Sequence, residues 1–301
     1  MITCYQSKYY IPCVKQRKLC IALFAAYFCF GPFAPGKFIY TMSCITLLSD
    51  LSLQDASVGV AKGILMQYMP DAPIIDISHE VTPFNVRQAA YLLSSVRKNF
   101  PAGTVHVVLC DIFSEKSPRL ALFEADGCYY LSPDNGILPL ALGTESATAW
   151  ECVLPDNGAT FTDWLHTTGR MIQELQTKTP ADLGLKSLQL KAPAGIPAEP
   201  TDNHTINCNV IHIDQYENVV LDVTKQQFDA MANGRSFRLE FMLIEEITEL
   251  STGYNDVRPG FKLCRFNNSG YLEICVNRGK AASLFGLKLG GKYNDIKINF
   301  R

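Results

Sequence analysis

The chain has 301 residues, with 27 lysines and arginines against 29 aspartates and glutamates and a pI of about 6.2. At roughly 150 residues per domain, this length predicts two domains, each large enough to bury a core of its own. The near balance of charge excludes a strongly basic surface for nucleic acid or for an anionic membrane, so we expect a small-molecule partner.

The first forty residues differ from the rest of the chain. Three basic residues at 15–18 precede an apolar stretch at 19–30, which a Gly-Pro pair ends. This order resembles the basic and hydrophobic regions of a signal peptide, and the stretch is short for a membrane span. Because no clear small-residue cleavage site follows, we favour the alternative that translation begins at Met42 and that residues 1–41 are an over-extended gene model.

Residues 42–190 alternate between strand-like and helical segments. This alternation predicts βαβ units and an α/β domain with a largely parallel sheet. The predicted strands are Ile45–Leu48, Ile74–Ile77, Thr104–Cys110, Leu120–Glu124, Tyr129–Leu131 and Ala149–Val153. The predicted helices are Ala56–Met69, Asn85–Asn99, Leu138–Leu142 and Thr162–Gln176.

A proline-rich segment at 191–203 predicts a semi-rigid linker. After it, the pattern of residues 204–301 changes to short strands with turns between them, which predicts a small antiparallel β-barrel or sandwich domain. The predicted strands are Ile206–Ile213, Asn218–Val223, Ser236–Leu243, Lys262–Asn267, Tyr271–Val276 and Ile296–Phe300.

The cysteines and histidines give no metal-binding pattern. The 11 cysteines form no zinc-like pairs, and the five histidines are scattered. We therefore expect no metal site, and buried reduced thiols indicate a cytoplasmic protein. Cysteines in strand-like apolar runs are Cys44, Cys110, Cys208, Cys264 and Cys275.

Polar residues follow the first predicted strand at its carboxyl end, namely Asp50, Asp55 and Ser57. In an open α/β sheet, ligands bind beyond the carboxyl ends of the strands. A carboxylate there can accept hydrogen bonds from both hydroxyls of a ribose, and a second carboxylate beside a hydroxyl suits an ammonium group. The alternative is an acidic turn that caps the next helix.

Eight short strings resemble, in sequence order, the S-adenosylmethionine (SAM) hydroxide adenosyltransferases, a family of adenosine-forming SAM hydrolases related to fluorinating and chlorinating enzymes. The resemblance covers nearly all of residues 44–290 and implies a Rossmann-like N-terminal domain followed by the β domain. The strings are TLLSD at 46–50, DASVGVAKG at 55–63, PDAPIIDISH at 70–79, TPFNVRQAA at 82–90, FPAGT at 100–104, PDNG at 133–136, IDQYEN at 213–218 and SGYLEI at 269–274.

The resemblance implies roles for residues of the N-terminal domain. Asp50 matches an aspartate that holds the ribose, and Asp55 and Ser57 match positions that hold the amino acid group of methionine. Phe84 matches an aromatic residue that lines the ribose and the reacting carbon. Asp111 matches the aspartate that prepares the attacking water.

The resemblance also implies an adenine site in the C-terminal domain. An aromatic sandwich with an amide suits a purine, because stacking supplies apolar contact and the amide supplies a donor and an acceptor. The alternative is that these residues are ordinary core aromatics and turn residues. Tyr216 and Asn218 match residues around the base, Tyr254 an aromatic that stacks on it, Arg278 a position whose backbone reads its edge, and Asn268 with Ser269 the pair that holds the substrate carboxylate.

The water-activating group departs from the family pattern. The family arginine falls near Pro118 or Arg119, and Arg119 fits only if the loop shifts by one residue. The family histidine falls at Thr162, and His166 lies one helical turn further on.

The resemblance implies hydrolysis of SAM to adenosine and methionine without metal or organic cofactor. It also implies a homotrimer with the site between subunits. The alternative is a catalytically weakened protein that binds SAM or adenosine.

Overall fold

The computed structural model describes residues 42–143, 148–155, 160–192, 202, 204–290 and 295–301. The predicted N-terminal extension and most of the predicted linker lie outside the described residues, and the domain boundaries stay a prediction. Within these ranges, no helix is both long and apolar enough to pass through a bilayer.

A seven-stranded sheet with helices organises the N-terminal part. Its strands are β1 (Ile45–Ser49), β2 (Ile74–Ser78), β3 (Val105–Leu109), β4 (Leu120–Ala125), β5 (Cys128–Pro133), β6 (Thr148–Cys152) and β7 (Lys186–Gln189). The helices are α1 (Ser57–Tyr68), α2 (Val86–Val96), α3 (Ile137–Leu142) and α4 (Phe161–Glu174). The strand order is β2-β1-β3-β5-β4-β6-β7.

The α/β class is confirmed, and the sheet is mixed. Strands β2, β1, β3 and β5 are parallel, whereas β4, β6 and β7 pair antiparallel. A two-residue turn causes the change of direction, because Asp126 and Gly127 both have positive φ, 52° and 73°. Positive φ at both central residues is the geometry of a type I′ hairpin, for which Asp-Gly is a favoured sequence.

Helices cover both faces of the parallel strands. Every residue of β1 and β3 is buried, as expected for strands between two helical layers. Leu47 packs in one core with α1 and α4, and Leu48 packs in a second core with α2 and α3. This arrangement leaves the loops at the carboxyl ends of β1, β2 and β3 side by side.

Two four-stranded antiparallel sheets form the C-terminal part, which confirms the predicted antiparallel architecture. They have the orders β13-β14-β10-β9 and β12-β11-β15-β8 and share one hydrophobic core. The strands are β8 (Thr205–Cys208), β9 (Val210–Ile213), β10 (Val219–Thr224), β11 (Phe237–Phe241), β12 (Glu245–Ile247), β13 (Lys262–Phe266), β14 (Tyr271–Val276) and β15 (Ile296–Phe300). The helices are α5 (Lys225–Ala232) and α6 (Ala281–Phe285).

Helix α2 connects the N-terminal sheet to the C-terminal sheets. Gln88 Nε2 lies 3.1 Å from His212 Nδ1, and Asn267 Nδ2 donates to the hydroxyl of Tyr91 at 3.1 Å. The Tyr91 ring also meets Tyr271 edge to face. Helix α2 begins two residues after Phe84. It therefore links the loop that carries Phe84 to the C-terminal sheets.

Candidate functional site

Asp50 ties together the loops that follow three neighbouring strands. It comes directly after β1, and its Oδ2 accepts hydrogen bonds from the backbone N–H of Phe84 and of Asp111, each at 3.1 Å. Its other oxygen, Oδ1, has no hydrogen-bond partner in the described part of the chain. That oxygen can therefore accept hydrogen bonds from the hydroxyls of a ligand.

The two residues that donate to Asp50 have an uncommon backbone conformation. Phe84 has φ 64° and Asp111 has φ 49°. Left-handed backbone is unfavourable for most residues, and phenylalanine is not among those that adopt it readily. The shared carboxylate of Asp50 holds both turns in this conformation, and it leaves the Phe84 ring 76% exposed at the sheet edge. Such local strain is characteristic of functional sites.

The carboxyl group of Asp111 is suited to accept a proton. Burial, together with the negative charge of Asp50, raises its pKa above the ordinary value. Asn135 supports the turn, because its Nδ2 donates to the backbone carbonyls of Cys110 and Asp111 at 3.1 Å and 3.3 Å. The PDNG string therefore acts as a scaffold under the Asp111 loop.

Asp55 and Ser57 form a small exposed turn at the start of α1. The backbone N–H of Ser57 donates to Asp55 Oδ1 at 2.7 Å. This hydrogen bond, with a second from the Ser57 hydroxyl, lowers the pKa of Asp55. Asp55 is therefore a carboxylate at neutral pH, which an ammonium group can approach from solvent.

Arg119 is engaged by another carboxylate. Its Nη2 donates to Asp134 Oδ2, and the Asp134 side chain is 1% exposed. Asp134 Oδ1 also accepts from the backbone N–H of Lys191 at 2.8 Å. Asp134 neighbours Asn135, so Arg119 is connected to the Asp111 loop through this scaffold, and its charge is balanced by Asp134.

Two histidines of the N-terminal part have side-chain partners of their own. His166 lies within α4, one turn beyond Thr162, and its Nδ1 is 3.1 Å from the Tyr68 hydroxyl. His79 is buried, with its Nδ1 2.7 Å from Ser49 Oγ and its Nε2 3.1 Å from Asp76 Oδ1. These three contacts give both histidines a structural role.

A pocket of about 1120 Å³ opens on the C-terminal part. A volume near 1000 Å³ is at the upper end of the range for small-molecule sites. The lining comes from Gln215, Tyr216, Asn218, Tyr254, Gly260, residues 276–280, Ser283 and Leu284. Four residues predicted around adenine line it together: Tyr216, Asn218, Tyr254 and Arg278.

Asn218 is a buried residue whose side-chain amide is oriented by Asp214. It is 5% exposed, and its Nδ2 donates to Asp214 Oδ2 at 2.9 Å. Because a carboxylate can only accept, the amide nitrogen must face Asp214. The amide oxygen has no partner among the described residues, so it can accept from an amino group such as that of adenine.

Glu217 connects two walls of the pocket, a role the sequence did not indicate. Its carboxylate accepts from the backbone N–H of Ser283 and from Lys280 Nζ, both at 2.9 Å. Hydrogen bonds from Ser283 and then Lys280 hold the pKa of Glu217 at about 2. The acid therefore caps α6 and fixes it against the turn that carries Tyr216 and Asn218. An acid between two predicted ligand positions was the only available signal in the sequence.

Tyr254 is held in place by groups that contact its ring and its hydroxyl. The hydroxyl donates to Glu273 Oε1 at 3.0 Å, and the Arg265 guanidinium lies 4.7 Å from the ring centroid. Burial and then the charge of Glu273 raise the pKa of Tyr254 to about 12. The phenol therefore stays protonated at neutral pH.

The remaining predicted residues lie at the two ends of β14. Arg278 follows it with φ 53° and an exposed side chain, in the turn that lines the pocket. Asn268 and Ser269 precede it in the turn after β13, where Asn267 Oδ1 accepts from the Ser269 N–H at 3.0 Å. The six residues of β14 span roughly 20 Å, so the turn with Asn268 and Ser269 lies at the opposite end of the strand from Arg278.

The candidate residues form two groups. Asp50, Phe84 and Asp111 meet beyond the carboxyl ends of the parallel strands, which we call the sheet-edge half of the site. The pocket is lined by residues of the C-terminal part. The described residues contain no group of three His, Cys, Asp or Glu that could hold a metal ion. All seven cysteines in these ranges are buried and free.

Comparison with known proteins identifies the family. The family model described as SAM hydroxide adenosyltransferase N-terminal domain matches residues 45–167. The model described as SAM hydroxide adenosyltransferase C-terminal domain matches residues 208–294. The chain belongs to the SAM hydroxide adenosyltransferase family. The resemblance predicted from the eight strings is therefore confirmed, and every candidate site residue falls within the two matched ranges.

The chain is similar to named enzymes and to a solved structure. A protein named (R)-S-adenosyl-L-methionine hydrolase from Salinispora arenicola is 28% identical over 263 residues, 82% of this chain and 95% of that protein. A protein named fluorinase from Actinopolyspora mzabensis is 35% identical over 66 residues, 22% of each chain. The crystal structure of an uncharacterized conserved protein from Thermotoga maritima has a TM-score of 0.71 at 25% identity and covers 85% of this chain and 99% of that one.

Proposed function

We propose that this protein hydrolyses SAM to adenosine and L-methionine by in-line attack of water at the ribose 5′ carbon. The observation that carries the proposal is the Asp50 carboxylate, held by the N–H groups of Phe84 and Asp111 with one oxygen free for a ligand. Family membership supports the same reaction, as does the relative named (R)-S-adenosyl-L-methionine hydrolase, which is matched over 95% of its length.

The reaction mainly requires the protein to position water and the ribose 5′ carbon. Water attacks C5′ opposite the sulfur, the C–O bond forms as the C–S bond breaks, and sulfur leaves with the electron pair as the neutral thioether of methionine. The Asp111 carboxylate accepts the proton that water loses and passes it to solvent. Because the sulfonium is a good leaving group, alignment and partial desolvation of water supply much of the rate, with no cofactor in the proposal.

The substrate groups are assigned to the two clusters. Oδ1 of Asp50 accepts from the ribose hydroxyls, Phe84 lines the reacting carbon, and Asp55 with Ser57 receives the ammonium group. Asn218 and Tyr254 hold adenine in the pocket. The carboxylate of the methionine part goes to Asn268 and Ser269, and the base edge meets the backbone at Arg278.

A shared site in a homotrimer is part of this proposal. Three exposed apolar side chains, Leu53, Phe84 and Phe113, follow the adjacent strands β1, β2 and β3 around Asp50. Exposed Tyr216 and Leu284 surround the pocket in the same way. Exposed apolar rims mark surfaces that another molecule covers, and a second subunit would bring the two halves of the site together.

We also propose a cytoplasmic location. The seven described cysteines are all free thiols, which reducing compartments maintain.

A protein that binds SAM or adenosine without turnover is the second candidate. Two observations favour it: Asp134 balances the charge of Arg119, and Thr162 stands where the resemblance implies a histidine. Asp111 then has no second group to favour the hydroxide form of water.

Product release separates the two candidates. Purified protein is incubated with SAM, and adenosine and methionine are quantified against a blank without protein. We expect equal amounts of both products from wild type and none above the blank from Asp50→Ala. Asp229→Asn, which removes an exposed acid paired with Lys225 on α5, is the matched control and should retain full activity. Tight SAM binding without products would reject the hydrolase in favour of the binding protein.

A further inference from the structure

An ion pair with a buried carboxylate contacts the side chain of Tyr254. Glu273 on β14 has a side chain that is 4% exposed, and Arg265 Nη1 on β13 donates to its Oε1 at 3.0 Å. The Tyr254 hydroxyl donates to the same oxygen at 3.0 Å. Arg265 therefore meets Tyr254 twice, through the shared carboxylate and through its guanidinium over the ring.

The three side chains have a fixed order from core to pocket. Tyr254 lines the pocket, whereas Arg265 and Glu273 are absent from its lining. The guanidinium is 4.7 Å from the ring centroid, so it contacts the Tyr254 ring without being part of the pocket lining. The tyrosine ring is held by the guanidinium and through its hydroxyl, while the residue as a whole is 40% exposed and lines the pocket.

We propose that Arg265 and Glu273 are positioning residues for the nucleoside base, which act by holding the Tyr254 ring as a stacking surface in the pocket. The inference rests on the proposed function, because it takes the base of that substrate as the ligand. It adds two residues that make no contact with the pocket themselves.

The energetics of the pair favour a positioning role. A buried carboxylate is expensive to desolvate, and a buried ion pair is often no more stabilising than apolar residues of similar volume. Tyr254 itself follows a glycine in a single turn of 3₁₀ helix at 254–256, and it is 40% exposed. Without the ion pair, this short segment would leave the ring free to rotate, and a ligand would have to order it on binding.

The test compares two arginines that pair with glutamates on strands of the C-terminal part. Arg265→Gln removes the charge beside Tyr254. Arg238→Gln is the matched control, since Arg238 on β11 pairs with Glu246 at 2.7 Å on the other sheet. Adenosine Kd is measured by titration calorimetry, KM and kcat are measured with SAM, and thermal melting verifies the fold.

We expect Arg265→Gln to raise the adenosine Kd and the KM for SAM about tenfold, with kcat within about twofold of wild type. Arg265→Lys, which keeps a cation, should recover part of the loss. Arg238→Gln should leave Kd, KM and kcat unchanged. Tyr254→Phe keeps the ring, removes its anchor to Glu273 and should weaken adenosine binding about threefold, which provides a second test if Arg265→Gln does not fold.

Unchanged adenosine binding in both Arg265→Gln and Tyr254→Phe would overturn the positioning role and leave the proposed function standing. Equal losses of kcat in Arg265→Gln and Arg238→Gln would indicate a general structural effect and would also overturn it. A wild-type protein that neither binds adenosine nor releases it would reject the proposed function, and this inference with it.

Discussion

At the scale of single residues, Asp111 combines two properties that can be separated by mutation. Its carboxyl group is the proposed proton acceptor, and its backbone has φ 49°. Asparagine tolerates this left-handed conformation better than other non-glycine residues. Asp111→Asn should therefore change stability by less than about 0.5 kcal/mol, while kcat for SAM falls roughly 100-fold or more because the amide cannot accept the proton. Denaturant melts and initial rates measure the two effects, and a normal kcat would contradict the assignment.

The same carboxyl group predicts the acid side of the pH profile. Its pKa is raised from the ordinary 3.8, and the protonated form cannot accept a proton from water. Activity should therefore be lost as pH falls through the raised pKa. Asp50→Asn removes the neighbouring negative charge, so the acid limb of kcat at saturating SAM should move to lower pH. An unmoved limb would show that another group controls it.

At the scale of elements, β3 carries a buried histidine that couples stability to pH. His106 is fully buried, stacks on Tyr130 at 4.9 Å and lies 2.8 Å from Thr46 Oγ1 through Nδ1. Burial, assisted by the charge of Arg97, lowers its pKa from 6.5 to about 4. The unfolded chain therefore takes up this proton at a higher pH than the folded protein does.

The consequence is a loss of stability in acid. The contribution of His106 is fully present above pH 6.5 and falls as pH drops from 6.5 towards about 4, by about 3 kcal/mol in total. His106→Gln should remove this part of the pH dependence, whereas His204→Gln, at an exposed histidine, should retain it. Urea unfolding at several pH values measures it, and parallel curves for wild type and His106→Gln would contradict the prediction.

Elements with strong local signals could be predicted from sequence, and those set by long-range contacts could not. Helix α4 matched within two residues because Thr160 and Asp163 form a capping box before an amphipathic segment. The predicted strand Ile206–Ile213 is instead β8 and β9 in different sheets, because Asn209 breaks it and binds Asp222 on β10 at 2.7 Å. Helix α5, with its own capping box at Thr224, was missed between two strand patterns.

The candidate site follows the same division. The position of Asp50 could be predicted because it follows an apolar strand, at the end of the sheet where ligands bind in such folds. The contacts that Glu217, Arg265 and Glu273 make around the pocket could not be predicted from the sequence. They depend on partners 8 to 66 residues away along the chain. The pairing of Arg119 with Asp134 also required the fold, since β4 and β5 bring these residues together.

At the scale of the whole molecule, the proposed trimer predicts complementation between inactive variants. Asp50→Ala damages the sheet-edge half of the site, and Asn218→Ala damages the pocket half. If each site combines halves from two subunits, a one-to-one mixture assembled at random has both halves intact in about a quarter of its sites. Co-expressed variants should therefore regain about a quarter of wild-type activity, while each alone stays inactive. No recovery in mixed trimers, verified by light scattering, would place both halves in one subunit.

The origin of the new oxygen tests the central claim most directly. Turnover of SAM in H₂¹⁸O should place one ¹⁸O in the 5′-hydroxyl of adenosine and none in methionine, as measured by mass spectrometry of both products. Unlabelled adenosine, or no product above the blank without protein, would contradict hydrolysis by attack of water at the 5′ carbon.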